Sequence, residues 1–174
     1  FDKWSLTDFL ANRLASNFYG DATLGALHAR TDEPNAFVPK LLINSTIYKA
    51  GSVKDAIWGQ KLVYTPLRSE AFPNDLILGR DLDVEVMTPS KLKTDFKSMS
   101  LARAVMSSAA FPGVFEPLHL YDYRDNANRD DPTLYLGDGA LHDNLGIETL
   151  LQMYSLILAK QRDARALLIV IDSG

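Results

Sequence analysis

The sequence predicts an α/β fold in one domain, on three observations. The chain has 174 residues, 47% hydrophobic and 23% charged, enough to bury a sizeable core and ordinary for a globular protein. Near the C-terminus the strand-like run "TLYL" (133–136) leads into the helical pattern "LGIETLLQMYSLILAK" (145–160). The apolar run "ALLIVID" (166–172) follows, long enough for a buried strand. Strand, helix and strand at this spacing imply a parallel crossover, hence a sheet covered on both faces.

The elements follow in chain order. In "SLTDFLANRLASNF" (5–18), Ser5 with Asp8 three positions later forms a capping-box pattern. Leu6, Phe9, Leu10, Arg13 and Leu14 then keep helical spacing. "TLGALHAR" from Thr23 reads as a further short helix, and "EPNAFVP" as a connector. "KLLINSTI" (40–47) and "KLVYTP" (61–66) read as strands. Residues 68–97 read as loops and short elements, with turn signals at Pro73-Asn74, Leu78-Gly79 and Thr88-Pro89.

"SLARAVMSSAAFPG" is the clearest helix. Ser100 stands as N-cap, Pro112-Gly113 ends the run, and small residues fill its interior. Small side chains let a helix approach a sheet closely. "YDYRDNANRDDP" (121–132) reads as an exposed polar loop. It fails as a calcium loop: Asn126, Asn128 and Asp130 have the spacing, but Asp131 stands where glycine is needed and Gly137 where the bidentate glutamate belongs. In the last helix, Ile147, Leu150, Leu151, Tyr154 and Leu158 form the apolar stripe.

Composition excludes several classes of function. A net charge of −4 and the absence of any dense basic run argue against a nucleic-acid partner. Leu67-Arg68 and Lys91-Leu92-Lys93 read as solvated surface. The absence of cysteine removes disulfides, thiolate zinc sites and a cysteine nucleophile together. No apolar run approaches ~18 residues, so no membrane-spanning helix is predicted. The N-terminal residues show no signal-peptide pattern, and the chain starts without Met. Compartment is left open.

"LYLGDGALHDNLG" (134–146) holds the main functional signal. In open α/β sheets chemistry collects beyond the carboxyl ends of strands, and Asp138 falls there, between Gly137 and Gly139. The glycines are expected to take positive φ and leave the carboxylate unobstructed. Asp138 could simply fix the turn. Asp143-Asn144, directly before the helix, is the better capping pair. Three chemical roles stay open for Asp138. One is a metal ligand with Asp143 and Glu148, near His142, although the spacing matches no known pattern. Another is the orienting acid of a Ser-His-Asp triad, although His28, His119 and His142 all read as surface or packing residues. The third is the base of a Ser–Asp pair, for which a carboxylate must be partly desolvated.

"ARAVMSSAAFPGVFEPLHL" followed by "LYLGDGALHDNLG" resembles the patatin-like phospholipase family, bacterial members above all. Asp138-Gly139-Ala140 matches the family's Asp-Gly-Ala motif, and Asp143-Asn144 the pair after it. "LLINSTIYKAG" is similar to the family's strand ending in an Asn-Ala-Thr-type sequence. The likeness runs from about Lys40 to Gly174 and more weakly to the N-terminus. It implies a three-layer α/β/α sandwich and hydrolysis of lipid or phospholipid acyl esters by a Ser–Asp dyad, without cofactor or metal, at or near a membrane surface. It makes Asp138 the dyad aspartate and Gly139 and Ala140 its motif neighbours. The family's glycine-rich oxyanion loop and Gly-x-Ser-x-Gly elbow are absent from these 174 residues, and none of the 12 serines sits between glycines. The chain is therefore expected to be the C-terminal part of a catalytic domain, beginning after the nucleophile, with the other part on the same or another chain. The alternative is a non-catalytic relative kept as a binding or interaction module. "NST" at Asn44 matches a glycosylation acceptor but lies in an expected buried strand, so a chance match is favoured.

Overall fold

A computed structural model describes residues 5–30, 33–35, 38–50, 59–65, 86–124, 133–161, 163, 165 and 167–171. The polar loop at 125–132 and the turns at Pro73 and Gly79 lie outside these residues. The first helix, α1, is Leu6–Leu14. Its capping box forms as expected: the Ser5 hydroxyl accepts from the Asp8 N–H, and the Asp8 carboxylate accepts from the Ser5 N–H. The helix passes into a π-helical turn, Ala15–Tyr19, which ends at Gly20 with φ +56°. The apolar spacing misleads in part: Leu6 and Phe9 are exposed, while Thr7 and Ala11 are buried and Leu10 and Leu14 only partly so. Helix α2 is Leu24–Arg30.

Four strands make one sheet: β1 (Ile43–Ala50), β2 (Lys61–Tyr64), β3 (Leu118–Tyr121) and β4 (Thr133–Asp138). Their order is β2-β1-β4-β3 and every pairing is antiparallel. The expected parallel crossover is therefore corrected. β4 is flanked on both sides, so no edge beside it is open to a parallel partner from beyond the last helix. Residues 167–171 carry no regular structure. The sheet's one parallel contact among the described residues is a single bridge, Leu62 to Met87, on the outer edge of β2. β3 is a strand that the sequence reading missed.

Helices cover both faces, as the alternation along β1 shows. Ile43, Ser45 and Ile47 point to α3 (Leu101–Ser108), where the Ser45 hydroxyl lies 3.3 Å from the Ser107 carbonyl. Leu62 and Tyr64 of β2 share that face with Leu134 and Leu136, and with Leu101, Ala104 and Met106 they form the main core. Ser100 caps α3 through the Arg103 N–H, and Ala102, Ala104 and Ser107 are buried against the sheet. The Tyr64 hydroxyl meets Ser107 Oγ at 3.0 Å. Burial pushes this phenol up to about 12, with the Ser107 hydrogen bond opposing.

On the opposite face, Asn44 of β1 and Lys61 and Val63 of β2 meet α5 (Ile147–Lys160). A smaller cluster sits there, Val63 and Val86 with Leu42 and Met153. The layers are thus helix, sheet and helix, and the α/β/α expectation holds with an antiparallel sheet.

Candidate functional site

The site is built where β4 gives way to α4 (Ala140–Asp143) and then α5. The last four carbonyls of a helix lack partners within it. The end of α3 finds part of them in this turn. The Asp138 N–H donates to the Ala110 carbonyl (3.0 Å), just beyond α3, and the Gly139 N–H to the Ser108 carbonyl (3.2 Å). Small residues at this end of α3 let the turn come so close. The Asp138 peptide is fixed by these bonds before its side chain makes any.

Gly137 and Gly139 do not have positive φ, so that expectation is corrected. Gly139 has φ −61° and ψ −25°, open to any residue. What it needs is space. A Cβ there would lie 2.7 Å from the Asn44 carbonyl oxygen and 3.0 Å from the Asn44 carbonyl carbon. At Gly137 the nearest contacts would be ordinary, starting at 3.5 Å. Positive φ occurs instead at Gly146, φ +68°, where the chain turns into α5.

One carboxylate oxygen of Asp138, Oδ1, accepts the Ala140 N–H at 2.8 Å. Asp138 thus does fix its own turn. Its other oxygen receives no hydrogen bond among the described residues. The residue is half-buried and lines a cleft of about 430 Å³ with Leu42, Ile43, Val105 and Ala109, Asn44 and Ser108 also contributing. The cleft is mostly apolar, with a few polar groups converging on it, the usual character of a small-molecule site. Ser108 shares the wall, yet no hydrogen bond joins it to the Asp138 carboxylate among the described residues. Gly139 is buried, and Ala140 opens α4 at the cleft's edge.

Asp143 is spent differently. Its carboxylate accepts the Glu148 N–H (3.3 Å) and the Thr149 N–H (3.0 Å), which are orphan donors in the first turn of α5. The capping role expected of it is therefore present, although it stands further from the helix than a standard N-cap. Buried Lys61 contributes the charge. Its Nζ lies 2.8 Å from Glu148 Oε1, 3.2 Å from Gln152 Oε1 and 3.9 Å from Asp143 Oδ2. The cation among these carboxylates is a lysine, so Asp143 and Glu148 already have their counter-charge. The histidines take no part in a triad with Asp138. His142 Nδ1 meets the Gly59 carbonyl at 3.2 Å, His119 packs edge-on to Tyr135, and His28 edge-on to Phe96.

Sequence reasoning missed Asn44 and Lys61. In the sequence Asn44 belongs to the Asn-Ala-Thr-type strand ending and to a glycosylation pattern, and neither gives its side chain a role. Its amide Nδ2 is instead 3.4 Å from Asp143 Oδ2, and its Oδ1 3.1 Å from Thr149 Oγ1. A lysine opening an apolar strand was the one available signal for the other.

Comparison with known proteins agrees with this architecture. The sequence model of the family described as patatin-like phospholipase matches residues 3–151 of the chain. The match reaches further toward the N-terminus than the motifs alone suggested and stops short of the last apolar run. No curated protein matches, and no solved structure matches.

Proposed function

Because the chain belongs to the patatin-like phospholipase family, we propose that it is the aspartate-bearing part of a lipid acyl hydrolase. Asp138 is the base of a Ser–Asp dyad, and the nucleophilic serine and oxyanion donors lie outside these 174 residues. The observation that carries this reading is the Asp138 carboxylate itself. It stands at the end of β4 on the wall of an apolar cleft, one oxygen holding the turn and the other without a donor among the described residues. A general base must be oriented and yet keep an unsatisfied oxygen for the proton it takes. In the proposed step the serine hydroxyl attacks the ester carbonyl while its proton passes to Asp138. As the tetrahedral intermediate collapses, Asp138 returns that proton to the leaving alcohol oxygen, releasing the alcohol or lysolipid. Water then attacks the acyl-serine, gives a proton to Asp138, and on collapse the fatty acid leaves and the serine oxygen takes the proton back. Leu42, Ile43 and Val105 suit an acyl chain.

The test uses the whole polypeptide to which these residues belong. Asp138→Asn keeps the shape and removes the base, and loss of a general base costs roughly 100- to 10,000-fold in rate. Hydrolysis of p-nitrophenyl esters and of phospholipid vesicles is expected to fall by that order with circular dichroism unchanged. The 174-residue chain alone is expected neither to hydrolyse these esters nor to label with a fluorophosphonate. Stoichiometric labelling of any of its serines, Ser108 in the cleft wall above all, would overturn the claim that the nucleophile lies elsewhere.

A further inference from the structure

We infer that Asn44 is the positioning residue for Asp138, clamping the aspartate's turn at both ends. This rests on the reading of Asp138 as the base. In the ladder Asp138 stands opposite Ser45, so Gly139, where the strand leaves the sheet, runs alongside Asn44. There the Asn44 carbonyl closes on Gly139 so tightly that no Cβ fits between them. The side chain of the same asparagine points to the other face. Its amide donates to Asp143 Oδ2 at 3.4 Å, at the far end of α4. Thr149 Oγ1 lies 3.1 Å from both Asn44 Oδ1 and Asp143 Oδ2, so one hydroxyl proton serves two acceptors.

The six-residue turn from Asp138 to Asp143 thus lies tight against the Asn44 backbone at its start and is bonded by that residue's amide at its end. Asp143 cannot drift, because two N–H groups of α5 and the Lys61 ammonium hold it. Asn44 also lines the cleft beside Asp138. The start of the turn is already tied to α3 through the Ala110 and Ser108 carbonyls, and Asn44 adds the tie at the far end, beyond α4. An asparagine suits this place because it offers a donor to Asp143 and an acceptor to Thr149 at once. Aspartate would set two carboxylates against each other.

Misplacing a catalytic group by about 1 Å costs on the order of 100-fold. In the whole polypeptide, Asn44→Ala is expected to lower kcat for p-nitrophenyl esters roughly 10- to 100-fold with KM little changed. A second readout needs no activity. The Ala140 N–H, held by Asp138 Oδ1, is expected to lose hydrogen-exchange protection relative to the Ala104 N–H within α3. The exchanged pair Asn44→Asp with Asp143→Asn restores a donor facing an acceptor and is expected to recover kcat above either single variant. Leu92→Ala, a core change remote from the turn, controls for general loss of stability. An unchanged exchange ratio and kcat in Asn44→Ala overturns the clamp, as does an equal kcat loss in Leu92→Ala at matched stability. Should Asn44→Ala not fold, Thr149→Val removes one arm of the clamp, and the same null result there overturns it. If the exchange ratio falls while Asp138→Asn keeps full activity, the clamp stands and the base assignment is what fails.

Discussion

At the scale of single residues, the glycines on either side of Asp138 test what the motif is for. They looked equivalent in the sequence, and backbone freedom was the obvious reason for both. The structure separates them. Gly139 is excluded from carrying a side chain by the Asn44 carbonyl at 2.7 Å, whereas Gly137 would find its nearest neighbour at 3.5 Å. Overpacking of this kind costs roughly 1–3 kcal/mol, and here the obstacle is backbone, which yields only by moving β1. Gly139→Ala is therefore expected to lower stability by about that amount in urea denaturation and to disturb Asp138. Gly137→Ala is expected to stay within about 1 kcal/mol of the wild type, since alanine in a strand recovers some of the entropy that glycine loses. Equal losses for the two would refute the close-approach account. Residue types and spacing made Asp138, Gly139 and Ala140 legible without a structure. Asn44 was not legible, because its partners Asp143 and Thr149 lie about a hundred residues away and no local pattern announces them.

At the scale of elements, capping was the most readable feature and helix facing the least. Ser5, Asp8 and Ser100 act where the sequence placed them, since a cap is settled within four residues. Helix α5 shows why facing is harder. Its apolar stripe was expected to lie on the sheet, yet Leu150 and Tyr154 of that stripe are exposed and Ile147, Leu151 and Leu158 only half-buried, while Thr149 and Gln152 are buried. The reason lies in other elements. Lys61 and Asn44 point from the sheet toward α5, and a buried ammonium without partners is far costlier than some exposed leucine. The helix therefore turns its polar stripe inward to meet them. Helix α1 offers a prediction with a defined pH dependence. Burial alone would raise the Asp8 carboxyl, but hydrogen bonds from Ser5 and Arg103 outweigh it and hold it below the usual carboxylate range. Arg103 Nη1 approaches Asp8 to 2.6 Å. A lowered native value means that the contribution is present above the unfolded value, 3.8, and is lost as pH falls through the native one. The stability difference between wild type and Asp8→Asn is expected to be nearly constant from pH 7 to about 5 and to shrink as pH falls through 3.8 and below. A denaturant series across that range measures it, and a difference that grows on acidification would contradict the assigned network. Ser5→Ala removes the other half of the box and is expected to cost about 1 kcal/mol.

At the scale of the whole molecule, the α/β class was legible because it follows from the order of periodic segments, whereas strand direction was not. β3 is four residues long and runs into a polar segment, so periodicity gave no hint of it. Without β3, the edge of β4 looked open, and a parallel crossover looked natural. The real arrangement occupies both edges of β4 and leaves apolar surface elsewhere. Leu167, Ile169 and Ile171 are 84%, 69% and 83% exposed, and the outward stripe of α5 adds Leu150, Tyr154 and Ile157. Scattered exposed leucines are normal, but a run of five β-prone apolar residues with no charge among them is a recognised aggregation hazard. A net charge of −4 over 174 residues opposes association only weakly. The 174-residue chain at neutral pH is therefore expected to bind an apolar dye such as ANS and to self-associate with rising concentration in sedimentation velocity. Ile169→Lys places a charge in the middle of the run at a residue that is 69% exposed. It is expected to reduce both signals while leaving the denaturation midpoint within about 0.5 kcal/mol equivalent of the wild type. If Ile169→Lys instead unfolds the protein, residues 167–171 are packed rather than exposed. If dye binding and association persist unchanged, the adhesive surface is the α5 stripe, and Leu150→Glu with Ile157→Lys is the pair expected to abolish them.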